Sequence, residues 1–266
     1  MRTTFTRIAL ATVLALPLGF GPALAQESPI TPGVLDTAKV PGVMAKAVDG
    51  FIRPGYHRFH DSATAMTSAM GALCAAPSQL SLDGARTAFG SVVDAWSRIE
   101  IVRVGPVLAG NRFERILFFP DRKGTGLKQV QAALAKSDES ATTVETLKDK
   151  SVAMQGIGAL EFVLFGTGFE ALAAEKNGYR CRYGAAIAAN LQRLGGELAT
   201  EWDRPDGIQA AWKTPGPDNP IYRDEAEAAK ELLGVLVHAA ETLRDQRIES
   251  FYKGTEGKAL PHQAIY

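Results

Sequence analysis

Two charged residues follow Trp96 at helical spacing and are the first candidates for chemistry. Glu100 lies four residues and Arg103 seven residues after Trp96, so on one helix all three would share a face. Glu100 and Arg103 are also three residues apart, a separation at which a carboxylate and a guanidinium can pair. Charges on an apolar face are costly unless they are paired or bind a ligand. The segment is therefore a candidate for a buried ion pair or for a ligand pocket.

Glu161 interrupts a second apolar stripe, seven residues after Met154 and four after Ile157. A buried carboxylate needs a cationic partner or a metal ion. Two interpretations stay open: an ion pair with Arg103 or Arg115 that fixes how helices dock, and a ligand or metal pocket between helices. In either case we predict that Glu161 is buried and accepts a charge-assisted hydrogen bond from one of these arginines.

The histidines offer a weaker metal pattern. His57 and His60 are three residues apart, a spacing at which two side chains can hold a metal on one helix face. Tyr56 and Phe59 define the buried face of the same segment, however, which turns His57 outward and leaves His60 beside the stripe. His238 and His262 have no partner nearby in sequence. We expect these last two at the surface or at its boundary.

Apolar residues repeat at alternating steps of three and four through most of the chain, which is the pattern of amphipathic helices. Alternating strand patterns are nearly absent, so we predict an all-α fold. The stripes cover residues 52–73, 89–99, 154–165, 179–198 and 222–243.

The first 25 residues have the composition of a secretory signal. A basic start with Arg2 and Arg7 precedes an apolar run, and an Ala-Leu-Ala site ends at Ala25. The run is shorter than the roughly 20 residues that a membrane span needs, and prolines interrupt it. We predict cleavage after Ala25, no transmembrane segment in the mature protein, and a periplasmic location.

The charge balance is nearly neutral. The chain contains 29 Lys and Arg residues against 29 Asp and Glu residues, and 46% of its residues are hydrophobic. Loss of Arg2 and Arg7 with the signal leaves a net charge of −2 on the remaining globular chain. This balance gives no electrostatic reason to expect a nucleic acid or an anionic membrane as partner.

Cys74 and Cys181 are the chain's two cysteines. In an oxidising compartment, an even pair far apart in sequence predicts one structural disulfide, with the Cα atoms within about 7 Å. The alternative, a metal site, lacks both a C-x-x-C spacing and a neighbouring histidine.

Residues 155–166 (QGIGALEFVLFG) resemble the core motif of imelysin-like proteins, which are exported bacterial proteins of the imelysin peptidase family. The resemblance covers most of the chain after residue 25 and keeps the order of the motifs. It extends to Leu73-Cys74, Trp96-x-x-x-Glu100-x-x-Arg103-x-Gly105-Pro106, Arg115-Ile-Leu-Phe-Phe-Pro120-Asp121 and Tyr179-Arg-Cys181.

The resemblance implies one domain over residues 26–266, made of two helical bundle-like halves (about 38–150 and 151–266), with the motif near their interface. Residues 260–266 resemble a turn that leads into further helices in the family, so the second half is expected to be incomplete. We therefore expect an exposed apolar strip near residues 232–251. The candidate residues of an interface pocket are Glu100, Arg103, Arg115, Asp121 and Glu161.

The family is linked to peptidase activity and to iron or other metal uptake, and its signature is G-x-H-x-x-E. Gly156 and Glu161 match this signature, but Gly158 stands where the histidine belongs. A hydrolytic metal needs about three protein ligands and an open position for water.

Two functions follow from the resemblance. The first is an exported binding or accessory protein without peptidase activity, connected with iron or a divalent metal and with a periplasmic or outer-membrane uptake partner. The second is a metallopeptidase with a non-standard site, in which His57 or His60 joins Glu161. The sequence leaves open whether the protein is an enzyme.

Overall fold

A computed structural model of the chain describes residues 33–121 and 123–252, except for the side chains of Ser250 and Phe251. The chain divides into two units, Met1–Leu35 and Asp36–Tyr266. The architecture given below belongs to the second unit. The predicted signal segment, His262 and the turn at residues 260–266 lie outside the described residues, and the division into two bundle-like halves stays a prediction.

The described residues are helical and contain no β-strand, which confirms the predicted all-α fold. Short 3-10 helices cover Thr37–Lys39, Gly105–Asn111, Glu139–Ala141 and Val152–Met154, and π-helical segments cover Val48–Ile52 and Leu243–Ile248. The α-helices of the described chain are α1 (Val40–Ala47), α2 (Arg53–Ala75), α3 (Gln79–Ile99), α4 (Arg112–Ile116), α5 (Thr125–Lys136), α6 (Val144–Leu147), α7 (Ile157–Phe165), α8 (Ala171–Ala174), α9 (Tyr179–Asp203), α10 (Ile208–Lys213), α11 (Glu225–Thr242) and α12 (Glu249–Tyr252).

Helix α2 lies at the centre of the fold and packs along both α9 and α3. Pro54 falls in its first turn, where a missing N–H costs nothing. Ser78 then caps α3, because its hydroxyl accepts a hydrogen bond from the Ser81 N–H at 3.1 Å. The buried face of α2 has the predicted spacing, with Tyr56, Phe59, Ala63, Met66, Met70 and Leu73 all fully buried.

Helices α2 and α9 approach closely where α9 carries a glycine. A Cβ atom built on Gly195 would lie 3.0 Å from the Cα atom of His60. Near the other end of α9, Cys181 forms a disulfide with Cys74 of α2, and the two Cα atoms are 5.6 Å apart. The predicted disulfide is confirmed, and it joins the end of α2 to the start of α9.

A line of aromatic rings ties the later helices to this core. Trp202 of α9 stacks on Tyr56 at a centroid distance of 6.3 Å and meets Trp212 of α10 edge-on at 5.8 Å. Trp212 in turn contacts Tyr222 at 6.2 Å. The segment that leads into α11 is therefore held to α2 through packed rings.

Helix α11 and the π-helical segment after it are covered less than the central helices. Leu236, Leu243 and Ile248 are exposed by 55%, 55% and 48%, against 2% for Trp96. Leu232 is partly buried against the core. These values confirm that this part of the described chain is less covered than the helix that carries Trp96, whereas a continuous apolar strip stays a prediction. None of the described helices combines the length and the apolar character that a membrane crossing requires.

Candidate functional site around the motif helix and the end of helix α3

Helix α3 ends one residue before Glu100, which caps it with a backbone hydrogen bond to the Trp96 carbonyl at 2.8 Å. Arg103 therefore lies beyond the helix, and the predicted shared helical face ends at Glu100. The Arg103 guanidinium instead covers the ring of Phe113, with its Cζ atom 3.7 Å from the ring centroid. This cation–π contact keeps the arginine beside the carboxylate.

The ion-pair partner of Glu100 comes from a distant part of the chain. Arg247, in the π-helical segment after α11, donates from Nη2 to Glu100 Oε1 at 2.6 Å. Both side chains are largely buried, with exposed fractions of 15% and 17%. The Arg247 guanidinium also lies over Phe119, 4.7 Å from the ring centroid. Glu100 is thus part of a buried ion pair, and its role in a ligand pocket stays a prediction.

Burial dominates the electrostatics of this cluster. It raises the pKa of Glu100, although Arg247 and Arg103 pull that pKa in the opposite direction. Burial likewise lowers the pKa of Arg103. Trp96 gives the carboxylate a weaker favourable interaction, yet neither Trp96 Nε1 nor Glu100 Oε2 has a hydrogen-bond partner of good geometry among the described residues. Within residues 33–121 and 123–252, the second oxygen of this buried carboxylate therefore has only the weak interaction with Trp96.

The motif helix α7 is fixed at both ends. A Cβ atom on Gly156, just before it, would lie 2.4 Å from the Ile116 carbonyl oxygen, so only glycine fits this close approach. At the other end, Arg86 donates to the Leu164 carbonyl, and Arg180 donates to the carbonyls of Phe162 and Val163. Cationic donors at a helix C-terminus satisfy its free carbonyls and its dipole.

Gln155, the first residue of the motif segment, is a fully buried polar residue. Its Nε2 donates to the carbonyls of Lys148 and Lys150 at 3.3 and 2.6 Å. Its Oε1 accepts from Arg115 at 3.0 Å, and its backbone carbonyl accepts from Asn190 Nδ2 of α9 at 3.3 Å. This residue holds the start of α7 against α4 and α9.

Glu161 lies on α7 at a partly exposed position. The prediction that Glu161 is buried is therefore wrong, and its hydrogen bond from Arg103 or Arg115 stays a prediction. The helix is apolar nearly all round, and its buried face is formed by Ile157, Ala159, Leu160, Val163 and Leu164. Glu161 lies between that face and solvent, where a carboxylate costs less than in the core.

These motif segments and their helices match a known protein family. The model of the imelysin family matches residues 52–265. The chain belongs to the imelysin family. The fold agrees with that of an imelysin-like protein from Psychrobacter arcticum 273-4, with a TM-score of 0.72 at 19% sequence identity, over 86% of this chain and 68% of that one. No curated protein matches the sequence.

The imelysin signature places its metal ligands three residues apart, on one face of a helix. In this imelysin the first of these positions is Gly158, which is exposed, and a Cβ atom built there would meet nothing within 4 Å. Space for a side chain exists, but the residue present supplies no ligand atom. Glu161 is the signature residue that this helix retains.

His57 and His60 lie in other contacts in the described part of the chain. His57 Nε2 lies 2.8 Å from Asp203 Oδ2, in a pair that Arg53 also joins. His60 packs on α9 and lies 3.9 Å from Asp61. No group of three His, Cys, Asp or Glu residues that could hold a metal occurs within residues 33–121 and 123–252. The described residues therefore do not fit a hydrolytic metal centre.

The remaining members of the predicted pocket have other contacts. Arg115 donates to the carbonyls of Gly110 and Lys148 and to Gln155. Asp121 caps α5, because its carboxylate accepts hydrogen bonds from the backbone of Thr125, Gly126 and Leu127. Glu100 and Arg103 thus lie together, whereas the contacts of Arg115 and Asp121 are with other segments. His238 is exposed beside Glu241, as expected.

Two functional features of the structure were not predicted from the sequence. Arg247 is 147 residues from Glu100 and follows a change from α to π geometry that no local pattern marks. A cleft between α4 and α9 also contains Arg112 and Arg193. Arg193 and Glu197 are four residues apart on a predicted helix, and this spacing indicates an ion pair between them.

Proposed function

We propose that this imelysin is an exported binding or accessory protein, connected with iron or other metal uptake, that does not hydrolyse peptides. The observation that carries this proposal is the motif helix itself. Gly158 replaces a metal ligand, and the described residues around Glu161 provide no set of three alternatives. A zinc-type hydrolase needs such a set to lower the pKa of a bound water.

Support for export comes from two independent features. Residues 1–25 have the pattern of a cleavable signal, and Cys74 and Cys181 form a disulfide, which persists in oxidising compartments. The connection with metal uptake, and with a periplasmic or outer-membrane uptake partner, rests on family membership.

Metal analysis of the untagged protein together with a protease assay tests the proposal. We expect less than stoichiometric zinc or iron after dialysis, and no hydrolysis of an unfolded protein substrate above a buffer control. The same measurements on Glu161→Gln should give the same result. Glu170→Gln, at an exposed carboxylate shortly after α7, serves as the matched control for loss of one surface charge.

A ligand-restoring variant adds a second arm. Because a side chain at Gly158 meets open space, Gly158→His should fold and recreate the G-x-H-x-x-E signature. An increase in metal content in this variant over wild type would show that Gly158 is the missing element. Stoichiometric metal in the wild type, with hydrolysis that Glu161→Gln abolishes and Glu170→Gln preserves, would overturn the proposal in favour of a metallopeptidase.

A further inference from the structure

A cleft of about 380 Å³ opens between α9 and the segment that contains α4, away from the ion pair of Glu100. Its volume lies within the range of about 300–1,000 Å³ that is typical of small-molecule sites. Four cationic and two acidic side chains line it, an excess of positive charge. The charged lining consists of Arg112, Arg115, Lys148, Asp149, Arg193 and Glu197.

Arg112 is the cation of this cleft that is fully neutralised. It pairs with Glu197 at 3.2 Å and with Glu201 at 2.7 Å, and its Nη1 donates to the Pro106 carbonyl at 2.9 Å. With an exposed fraction of 18%, it is a structural link from α4 to α9. Its charge is therefore not available to a ligand.

The other three cations keep unused donors. Arg115 donates from Nε and Nη1 to uncharged oxygens, which leaves Nη2 without an acceptor among the described residues. The ammonium of Lys148 is exposed and likewise has no acceptor in the described chain. Arg193 uses Nη1 and Nη2 on Glu197 and Asn190, while its Nε is buried and unpaired. A buried N–H without an acceptor is costly unless a ligand or water supplies one.

The positions of these donors are fixed by the fold. The Lys148 carbonyl accepts from Arg115 Nη1 at 2.8 Å, which holds the loop after α6 against α4. Arg193 is held on α9 by its bond to Asn190 at 2.9 Å. Donors that are oriented before a ligand arrives reduce the entropy lost on binding.

We propose that this cleft binds a small multivalent oxyanion, either a polycarboxylate or a phosphate. Guanidinium and ammonium groups recognise both of these anions by charge-assisted hydrogen bonds. A multivalent anion fits this cleft because the donors that remain free within the described chain, Arg115 Nη2 and the ammonium of Lys148, come from two different elements. The residues that line the cleft are not residues of α7, so the inference does not depend on the absence of peptidase activity.

Titration calorimetry with citrate and with inorganic phosphate, in low-salt buffer, tests the inference and distinguishes the two anions. We expect saturable binding of one of them and a much weaker response to acetate, which is monovalent. Lys148→Gln should weaken binding by about 3- to 10-fold, the scale of one charge-assisted contact, and Lys148→Glu should weaken it further. Because Lys148 is exposed, both variants should keep the fold.

Lys128→Gln, which removes an exposed lysine of α5, is the matched control and should bind like the wild type. The inference would be overturned if Lys148→Glu bound citrate as tightly as the wild type does and also bound phosphate as tightly as the wild type does. A lack of saturable binding of both anions would also overturn it. The outcome is independent of the metal and protease measurements, since those measurements concern Gly158 and Glu161.

Discussion

Arg247 Nη2 lies 2.6 Å from Glu100 Oε1, and this bond joins the π-helical segment Leu243–Ile248 to the end of α3. The two residues are 147 positions apart. The Arg247 guanidinium also packs over the ring of Phe119. The last helices are therefore held to the core by a buried ion pair as well as by the rings that follow Trp202.

Replacing Arg247 by alanine should destabilise the protein by about 2–4 kcal/mol, because the buried Glu100 carboxylate would lose its partner. The free energy of unfolding from urea denaturation measures this loss. Arg98→Ala is the matched control, since Arg98 pairs with Asp94 in solvent and its removal should leave stability nearly unchanged. Equal losses in the two variants would contradict a special role for Arg247.

The raised pKa of Glu100 predicts a pH dependence with a definite sign. The folded state binds a proton on this carboxylate more tightly than the unfolded state does. Relative to Glu100→Gln, the wild type should therefore gain stability as the pH falls through the raised pKa. The gain should level off below the unfolded value of about 4.3.

Asp138 provides a control of opposite sign. Lys150 and Ser140 lower its pKa to about 2, so its contribution is complete above the unfolded value of about 3.9 and is lost as the pH falls towards the folded one. Relative to Asp138→Asn, the wild type should lose stability over that acid range. The same direction of change for both residues would contradict the opposite shifts of their pKa values.

The contact between α2 and α9 predicts that Gly195→Ala is destabilising. The new methyl group would lie 3.0 Å from the Cα atom of His60 and 3.2 Å from the Phe59 ring, and backbone cannot yield as a side chain does. We expect a loss of about 1–3 kcal/mol. Gly234→Ala in α11, where a Cβ atom meets nothing within 4 Å, should instead stabilise by about 0.4–1 kcal/mol. Thermal unfolding of both variants separates the two effects.

Much of the fold follows from local patterns in the sequence. The predicted apolar stripe on α2 matches its buried residues, because apolar residues at steps of three and four all lie on one face of the helix. The pairing of Cys74 with Cys181 was likewise predictable. The first prediction rests on helical spacing, and the second rests on an even pair of cysteines that follows a predicted signal segment.

The candidate site was less predictable because it depends on how distant segments pack. Glu161 falls at the spacing of the apolar residues on α7. Because α7 is apolar on nearly all sides, the spacing of its residues could not show which face is buried. The prediction that Arg103 shares a face with Trp96 assumed that α3 extends to residue 103, but α3 ends at Ile99. Asp121 stands in a family motif but caps α5, a role that any short carboxylate before a helix can have.

The bond between Cys74 and Cys181, which are 107 positions apart in the sequence, closes the intervening chain into a covalent ring. If a protease cleaved one peptide bond within this ring, the two fragments would stay joined by the disulfide, and the molecule would gain only one water. Glu100, Arg115, Lys148 and Glu161 all lie inside the ring, whereas Arg193 and Arg247 lie outside it. After such a cleavage inside the ring, the disulfide would hold the two chain fragments together until a reductant opened the bond.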